Sequence, residues 1–422
     1  MVLKAKVTDS ILAAVDQDRV LTLEQECVRI PSFTYEEQAC ADYLGRVMDE
    51  IGLEVEMMEV EDPMGTGRRG RQPVGRLRGS GGGPSLMLNG HMDHRELVGE
   101  WDHDPFSGHF EDGKIYGRGS QDDKGGIVAM VSAVAAICKS GVKLKGDVLV
   151  CPVMAHKPGG HGTQALIARG YGTDMCINTE NSGNGIAHVS CGLLRFRLHA
   201  RSPLIHVNST PAQRACYLNP VEQLALIVQR MGPSIRPIPE GDWMTFERHP
   251  DLPEFPKLHY DEIVGDHMSR VTSDEMTMTV QVRTVPGQSA KTMKADVKRL
   301  LATLAKEHPN LDVTVQVPPQ DGRWAGFEGP ALSTPADSKL VTTLARNHEK
   351  VTGSPPVIGA EPRMGSYNDG NMLAASGIET VMYGPGNLRV FDAWPTANEY
   401  VTLDELMVCT KTLALTIAEI CG

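Results

Sequence analysis

The sequence predicts an α/β fold: a mainly parallel sheet with helices on both faces, carrying a smaller inserted α+β module of ferredoxin-like type. Three features predict it. Between Ser85 and Glu180, short apolar runs bounded by glycines or turn residues alternate with helical stretches, as in a parallel sheet covered on both sides. Near Cys191 the pattern changes to alternating, half-exposed strands with amphipathic helices between them, and from about Ser333 the first pattern resumes. The 422 residues also exceed one typical domain. Segments 1–189 and 327–422 are therefore expected to form one domain and 190–326 another, inserted in it.

In chain order, apolar positions recur at helical spacing from about Asp9 to Leu53, giving two helices separated by the break at Ile30-Pro31-Ser32-Phe33. Leu53 to Met57 alternates as a strand, and Gly67-Arg68-Arg69-Gly70-Arg71 reads as an Arg/Gly-rich loop. Ser85 to Gly90 is a buried strand that delivers His91 at its carboxyl end, where ligands gather in α/β sheets. Gly126 to Cys138, dense in Ala, Val and Met, is a buried helix beginning beside Asp122-Asp123. Strand Asp147–Cys151, helix Thr163–Arg169 and strand Asp174–Asn178 follow, the last running on to Glu180. In the inserted part, Leu193 to Ala200 and Met276 to Thr284 read as strands, Pro220 to Met231 and Ser289 to Glu307 as helices. Helix Lys339–Lys350, strand Ile378–Tyr383 and a helix from Leu403 complete the chain.

Charge narrows the partners. Lys and Arg number 41 against 53 Asp and Glu, a net of −12, and no long basic run occurs, so neither nucleic acid nor an anionic membrane is an expected partner. No apolar run approaches the ~20 residues that cross a bilayer. The nine cysteines are scattered without a CxxC pair, which favours reduced thiols and a cytoplasmic location. A small-molecule substrate fits this profile.

Three candidate metal ligands stand at successive strand ends and turns: His91 in Gly90-His91-Met92-Asp93, Asp122 in GRGSQDDKGG and Glu180 in MCINTEN. One imidazole and two carboxylates suit a borderline divalent cation such as Zn²⁺, Mn²⁺ or Co²⁺. If strand alternation continues past His91, Asp93 reaches that imidazole and fixes its tautomer. Glycines around Asp122 let backbone crowd a site, and neighbouring acidic groups repel one another unless a cation is present.

These motifs resemble the aminoacylase and carboxypeptidase G superfamily of co-catalytic metal hydrolases, which also includes carnosinases and succinyl-diaminopimelate desuccinylase. The match runs from about Glu24 to Leu406. It includes Trp101-Asp102-His103-Asp104-Pro105-Phe106, Arg283 in VQVRTVPGQ, and Gly384-Pro385-Gly386 before Asn398-Glu399-Tyr400. The resemblance implies a two-metal site bridged by the motif aspartate, here Asp122, with His91 and Glu180 on one ion and often a cis peptide after the aspartate. Where the family carries a Glu-Glu pair, general base then ligand, this chain has His156 and Lys157 before Gly159-Gly160-His161-Gly162-Thr163. The family's last histidine ligand falls on Pro395, beside Trp394.

Both ligands unique to a second ion are thus replaced, and one divalent transition metal per chain is expected. His156 takes the base position with an imidazole of reference pKa near ~6.5, or else fills the turn as a structural histidine. The Lys157 ammonium is expected to neutralise Asp122 where a second cation would bridge. The resemblance further places Asn219 and Arg283 of the inserted lid domain at the substrate, His206 of that domain reaching it from the partner subunit of a dimer, together with Ser366, Tyr367 and Asn368 of a substrate loop in which Tyr367 and Asn368 depart from the family's usual pattern. It also implies a homodimer, or a higher homo-oligomer, formed through the lid. Trp394 offers a stacking face or simple packing.

The expected function is metal-dependent hydrolysis of a C–N bond in a small, carboxylate-bearing substrate through an activated water. Loss of one ion and of the glutamate base weakens attack on an ordinary amide and favours an activated aromatic amine. A general likeness to aromatic aminohydrolases acting on 5-nitroanthranilate points the same way. An aminoacylase, dipeptidase-type or other amide hydrolase is the alternative. So is a catalytically dead small-molecule binder, or a two-metal peptidase in which His156 or His161 serves as a replacement ligand.

Overall fold

The computed structural model of the chain describes residues 3–63, 67–206, 208–265, 274–322, 325–359, 365–386 and 397–422. It divides into two compact units, Met1–Ser190 with Leu332–Gly422, and Cys191–Ala331, each with its own buried apolar cluster.

The larger unit is built on a six-stranded sheet in the order Glu54–Glu61, Arg69–Leu77, Val148–Val153, Leu86–His91, Met175–Asn178, Glu379–Met382. The last four run parallel and the first two pair antiparallel. The three strands Val148–Val153, Leu86–His91 and Met175–Asn178 are buried along their whole length, which is why their sequences are near-continuous apolar runs. Helices Ala5–Ala14, Gln17–Val28, Gly125–Ser140, Lys339–Thr352 and Leu403–Cys421 pack on one another, while Gln38–Glu50, His161–Ala168 and Asp369–Ala375 pack against the strands from the other side. Among the described residues no helix is long and apolar enough to cross a membrane.

Two local expectations are corrected. The stretch before Ile30 holds two helices, Ala5–Ala14 and Gln17–Val28, because the Asp16 side chain accepts the Arg19 N–H at 3.1 Å and caps a new helix start. The Arg/Gly-rich stretch is also the start of strand Arg69–Leu77. Its arginines face the glutamates of Glu54–Glu61 across the ladder, Arg69 opposite Glu61 and Arg71 opposite Glu59. Opposite charges stabilise such cross-strand pairs, so residues that read alone as a solvated loop become strand once the partner is counted.

The smaller unit is a four-stranded antiparallel sheet in the order Lys257–Gly265, Glu275–Thr284, Gly192–Arg201, Val313–Gln316. With helices Pro220–Met231 and Ala290–Glu307 this gives the β-α-β-β-α-β chain order of a ferredoxin-like module. Both helices begin with a capping box, at Asn219 with Glu222 and at Ser289 with Thr292. The edge strands Lys257–Gly265 and Val313–Gln316 are largely exposed, so they carry little of the buried alternation that marks the two central strands.

Candidate metal centre

His91 is the last residue of its strand, and Glu180 follows Met175–Asn178 by two residues. Asp122 precedes helix Gly125–Ser140 and is joined to Asp123 by a cis peptide. His156 and Lys157 lie in the turn after strand Val148–Val153. Parallel register brings these strand ends to one edge of the larger unit.

There, His91 Nε2 is 2.9 Å from Asp122 Oδ1 and 3.3 Å from Glu180 Oε2. The Lys157 Nζ donates to the same Asp122 Oδ1 at 2.7 Å and stands 3.4 Å from His91 Nε2. The imidazoles of His91 and His156 stack with centroids 4.3 Å apart and planes 5° from parallel. His156 Nδ1 is bound to Asp369 Oδ1 at 2.7 Å, and Asp369 Oδ2 accepts the Thr163 hydroxyl at 2.8 Å, which fixes the ring. The backbone must come close for this: a Cβ on Gly160, whose φ is +72°, would lie 2.5 Å from Asp369 Oδ1.

Asp93 departs from expectation. It is its backbone carbonyl, 2.9 Å from His91 Nδ1, that fixes the tautomer, while its carboxylate lies 3.6 Å away. The strand has ended at His91, so alternation no longer sets direction. The carboxylate instead accepts the backbone N–H groups of His156 and Lys157 at 2.9 and 3.1 Å and the Thr34 hydroxyl at 2.9 Å. Asp93 therefore shapes the turn that carries those two residues.

Do these residues fit a cation? Donors sharing a tetrahedral ion at roughly 2.0–2.1 Å lie about 3.3 Å apart, and the separations around His91 Nε2 match that spacing. Glu180 Oε2 is buried without a hydrogen-bond partner. Asp93, Asp122 and Glu180 face the Lys157 ammonium, which leaves negative charge in excess. Burial and Lys157 oppose protonation of His91, yet Glu180 and Asp122 outweigh them and push its pKa well above the imidazole value. Burial likewise opposes the Lys157 charge, but Asp122, Glu180 and Asp93 raise its pKa above that of an ordinary lysine. Against burial, Lys157 and His91 hold Asp122 well below the usual carboxylate range. The donor set fits a divalent transition ion. His91, His156 and Glu180 present ligand atoms within 4.8 Å of one another, while Asp122 stands outside that group, 2.9 Å from His91 Nε2 and paired with Lys157.

Two carboxylates outside the expected set hold the centre together. Asp369 orients His156, and Glu399 accepts Arg118 Nη1 at 2.9 Å and the backbone N–H groups of Gly119, Gln121 and Asp122 at 3.0, 3.0 and 3.2 Å. Their only signal in the sequence is position: Asp369 closes the Gly365–Asp369 loop, and Glu399 is central in Asn398-Glu399-Tyr400. In the Gly365–Asp369 loop, Asn368 caps helix Asp369–Ala375, accepting Gly370 N–H at 2.9 Å and donating to the Ser366 carbonyl at 3.1 Å. Ser366 is exposed and Tyr367 half-buried. His206, Asn219 and Arg283 belong to the smaller unit. Asn219 accepts Val221 N–H at 2.8 Å and donates to Tyr217 at 2.7 Å, His206 is exposed, and Arg283 is half-buried on Glu275–Thr284. Trp394 and Pro395 lie outside the described residues.

The model of peptidase family M20/M25/M40 matches residues 87–419. The chain is similar to an N-formyl-4-amino-5-aminomethyl-2-methylpyrimidine deformylase of Halalkalibacterium halodurans, 27% identical over 440 residues covering 99% of this chain and 98% of that one. A protein of the same description from Bacillus subtilis is 25% identical over 393 residues, covering 87% of this chain and 86% of the other. In fold, the chain is similar to aminopeptidase PepT of Bacillus cereus, with a TM-score of 0.74 at 19% identity over 97% of this chain and all of that one (100%).

Proposed function

From its place in peptidase family M20/M25/M40, to which this chain belongs as a metal-dependent hydrolase of C–N bonds, we propose a single-ion enzyme that deaminates an activated, carboxylate-bearing aromatic amine. The reading rests on one observation above the rest: the Lys157 ammonium, 2.7 Å from Asp122, lies against the carboxylate that a second ion would share. An ammonium supplies charge without Lewis acidity. A substrate whose ring is already electron-poor needs less help at the reacting carbon than an unactivated amide does.

His91, Asp122 and Glu180 would hold the ion, which supplies Lewis acidity and an activated water. His156 Nε2, with Nδ1 held by Asp369, takes a proton from the attacking water and returns it to the departing nitrogen. The water oxygen bonds to the ring carbon, the carbon–nitrogen bond breaks, and a hydroxy-arene and ammonia leave. Lys157 keeps Asp122 ionised and directed at the centre, and Asp93 fixes the turn that presents both residues. A homodimer formed through the smaller unit accompanies this reading.

Amide hydrolysis is the second reading, favoured by the deformylase descriptions of the two relatives. Mass spectrometry of products from aminoaromatic acids, formylated aminopyrimidines, acylamino acids and dipeptides, with Mn²⁺ or Zn²⁺ added, separates the two. A hydroxy-arene with stoichiometric ammonia is the expected result. Formate or another carboxylic acid with an intact amine replaces it with the amide reading, and no metal-dependent product from any substrate leaves a small-molecule binder.

A further inference from the structure

A second group of donors lies apart from the centre in the same unit. His109 and Glu111 belong to the strand His109–Glu111, two residues apart and so on one face of it. His103 comes from the loop before it. The imidazoles of His103 and His109 stack with centroids 4.0 Å apart and planes 25° from parallel. Both Nε2 atoms turn towards a single oxygen, Glu111 Oε2, at 3.9 Å from His103 and 3.6 Å from His109. One ligand atom from each residue lies within 4.8 Å of the other two. His109 Nε2 is itself shielded from solvent and has no hydrogen-bond partner.

From this geometry we infer a second transition-metal site, formed by His103, His109 and Glu111 and separate from the His91 centre. Two imidazoles and one carboxylate form a donor set that zinc accepts readily, with the remaining positions open to water. Glu111 is exposed and both imidazoles are half-buried, so the site lies near the surface although His109 Nε2 itself is shielded.

The backbone holds the donors in place beforehand. Gln25 Nε2 donates to the Gly108 carbonyl at 2.8 Å, and Arg29 Nε donates to that of Ser107 at 3.0 Å. Next to His103, Asp102 exchanges two hydrogen bonds with Asn398, at 2.9 and 2.8 Å. Little ordering therefore remains for the ion to impose. One consequence is that this chain can bind two ions without containing a two-ion catalytic centre.

Equilibrium dialysis against Zn²⁺ or Co²⁺, with bound metal measured by mass spectrometry, tests the site in four proteins: wild type, Glu180→Gln, the double variant His103→Gln/His109→Gln, and the three substitutions together. The expected result is about two ions in the wild type, about one in each of the middle two, and none in the last. Co²⁺ absorption bands should persist in Glu180→Gln and disappear when the histidine pair is also removed. Circular dichroism and thermal midpoints of the metal-free proteins establish that each variant is folded. If the double variant is not, Glu111→Gln alone should weaken Co²⁺ binding to protein already carrying Glu180→Gln. Metal uptake by the double variant equal to that of wild type, or unchanged Co²⁺ affinity on loss of Glu111, overturns the site. Loss of the ion only with Glu180→Gln does so as well. None of these outcomes depends on the reaction catalysed at the His91 centre.

Discussion

The strand-end side of the His91 centre and its turn side treat charge in opposite ways. His91 and Glu180 are placed by buried parallel strands and converge as donors. The turn after Val148–Val153 instead presents an imidazole backed by Asp369 and an ammonium set against Asp122. On the single-ion reading proposed above, the scaffold keeps one cation site and sets a tethered positive charge beside it. Charge balance survives that substitution and coordination chemistry does not, because an ammonium has donors to offer and no vacant coordination position.

The largest expected effect comes from the strand-end side. Glu180→Gln should remove the centre's ion and reduce turnover below detection, measured by metal content and product release together. Retention of both would break the comparison. On the turn side, His156→Gln should lower kcat by about 10²–10⁴-fold while the ion stays bound. Loss of the ion as well would make His156 a ligand and merge the two sides. Asp369→Asn should act in the same direction but less strongly, lowering kcat with KM unchanged, since it only orients the ring.

Lys157→Met leaves Asp122 buried without its ammonium, and removing one partner of such a pair costs about 3–5 kcal/mol. Denaturant midpoints of the metal-free protein measure that cost. In the His103→Gln/His109→Gln background, Lys157→Glu should raise metal content from about one ion to about two, and an unchanged count would show that the lysine does not stand in for an ion.

The smallest effect concerns the segment after His91. His94 Nε2 accepts the Ser32 backbone N–H at 2.9 Å, and its Nδ1 lies 3.0 Å from the Arg95 carbonyl, so the folded protein needs the neutral ring. Burial, aided by Lys124, lowers its pKa to about 4 from the usual imidazole value of 6.5. Between those values the unfolded chain binds the proton and the folded one does not, so this contribution is complete above pH 6.5 and is lost as pH falls towards 4. Urea midpoints at several pH values should show wild type losing stability on acidification faster than His94→Gln. Parallel curves would sink this assignment.

Much of the fold was legible because buried parallel strands such as Leu86–His91 and Val148–Val153 carry apolar runs that stand out locally. The strand Arg69–Leu77 was not, because its arginines make sense only opposite Glu59 and Glu61. That His91, Asp122 and Glu180 come close together was legible from their glycine-rich and strand-end settings. The direction of the Asp93 carboxylate was not, since it depends on the path of the chain after the strand ends.

The sequence by itself determined which donors exist and that they fall at the ends of neighbouring strands, because hydrophobic periodicity and turn residues are local properties. Only the tertiary structure decided which charge meets which. Lys157 reaches Asp122 across 35 residues of chain, and Asp369 reaches His156 across 213. Electrostatic pairing depends on distance through space, and that distance is set by sheet register and helix packing.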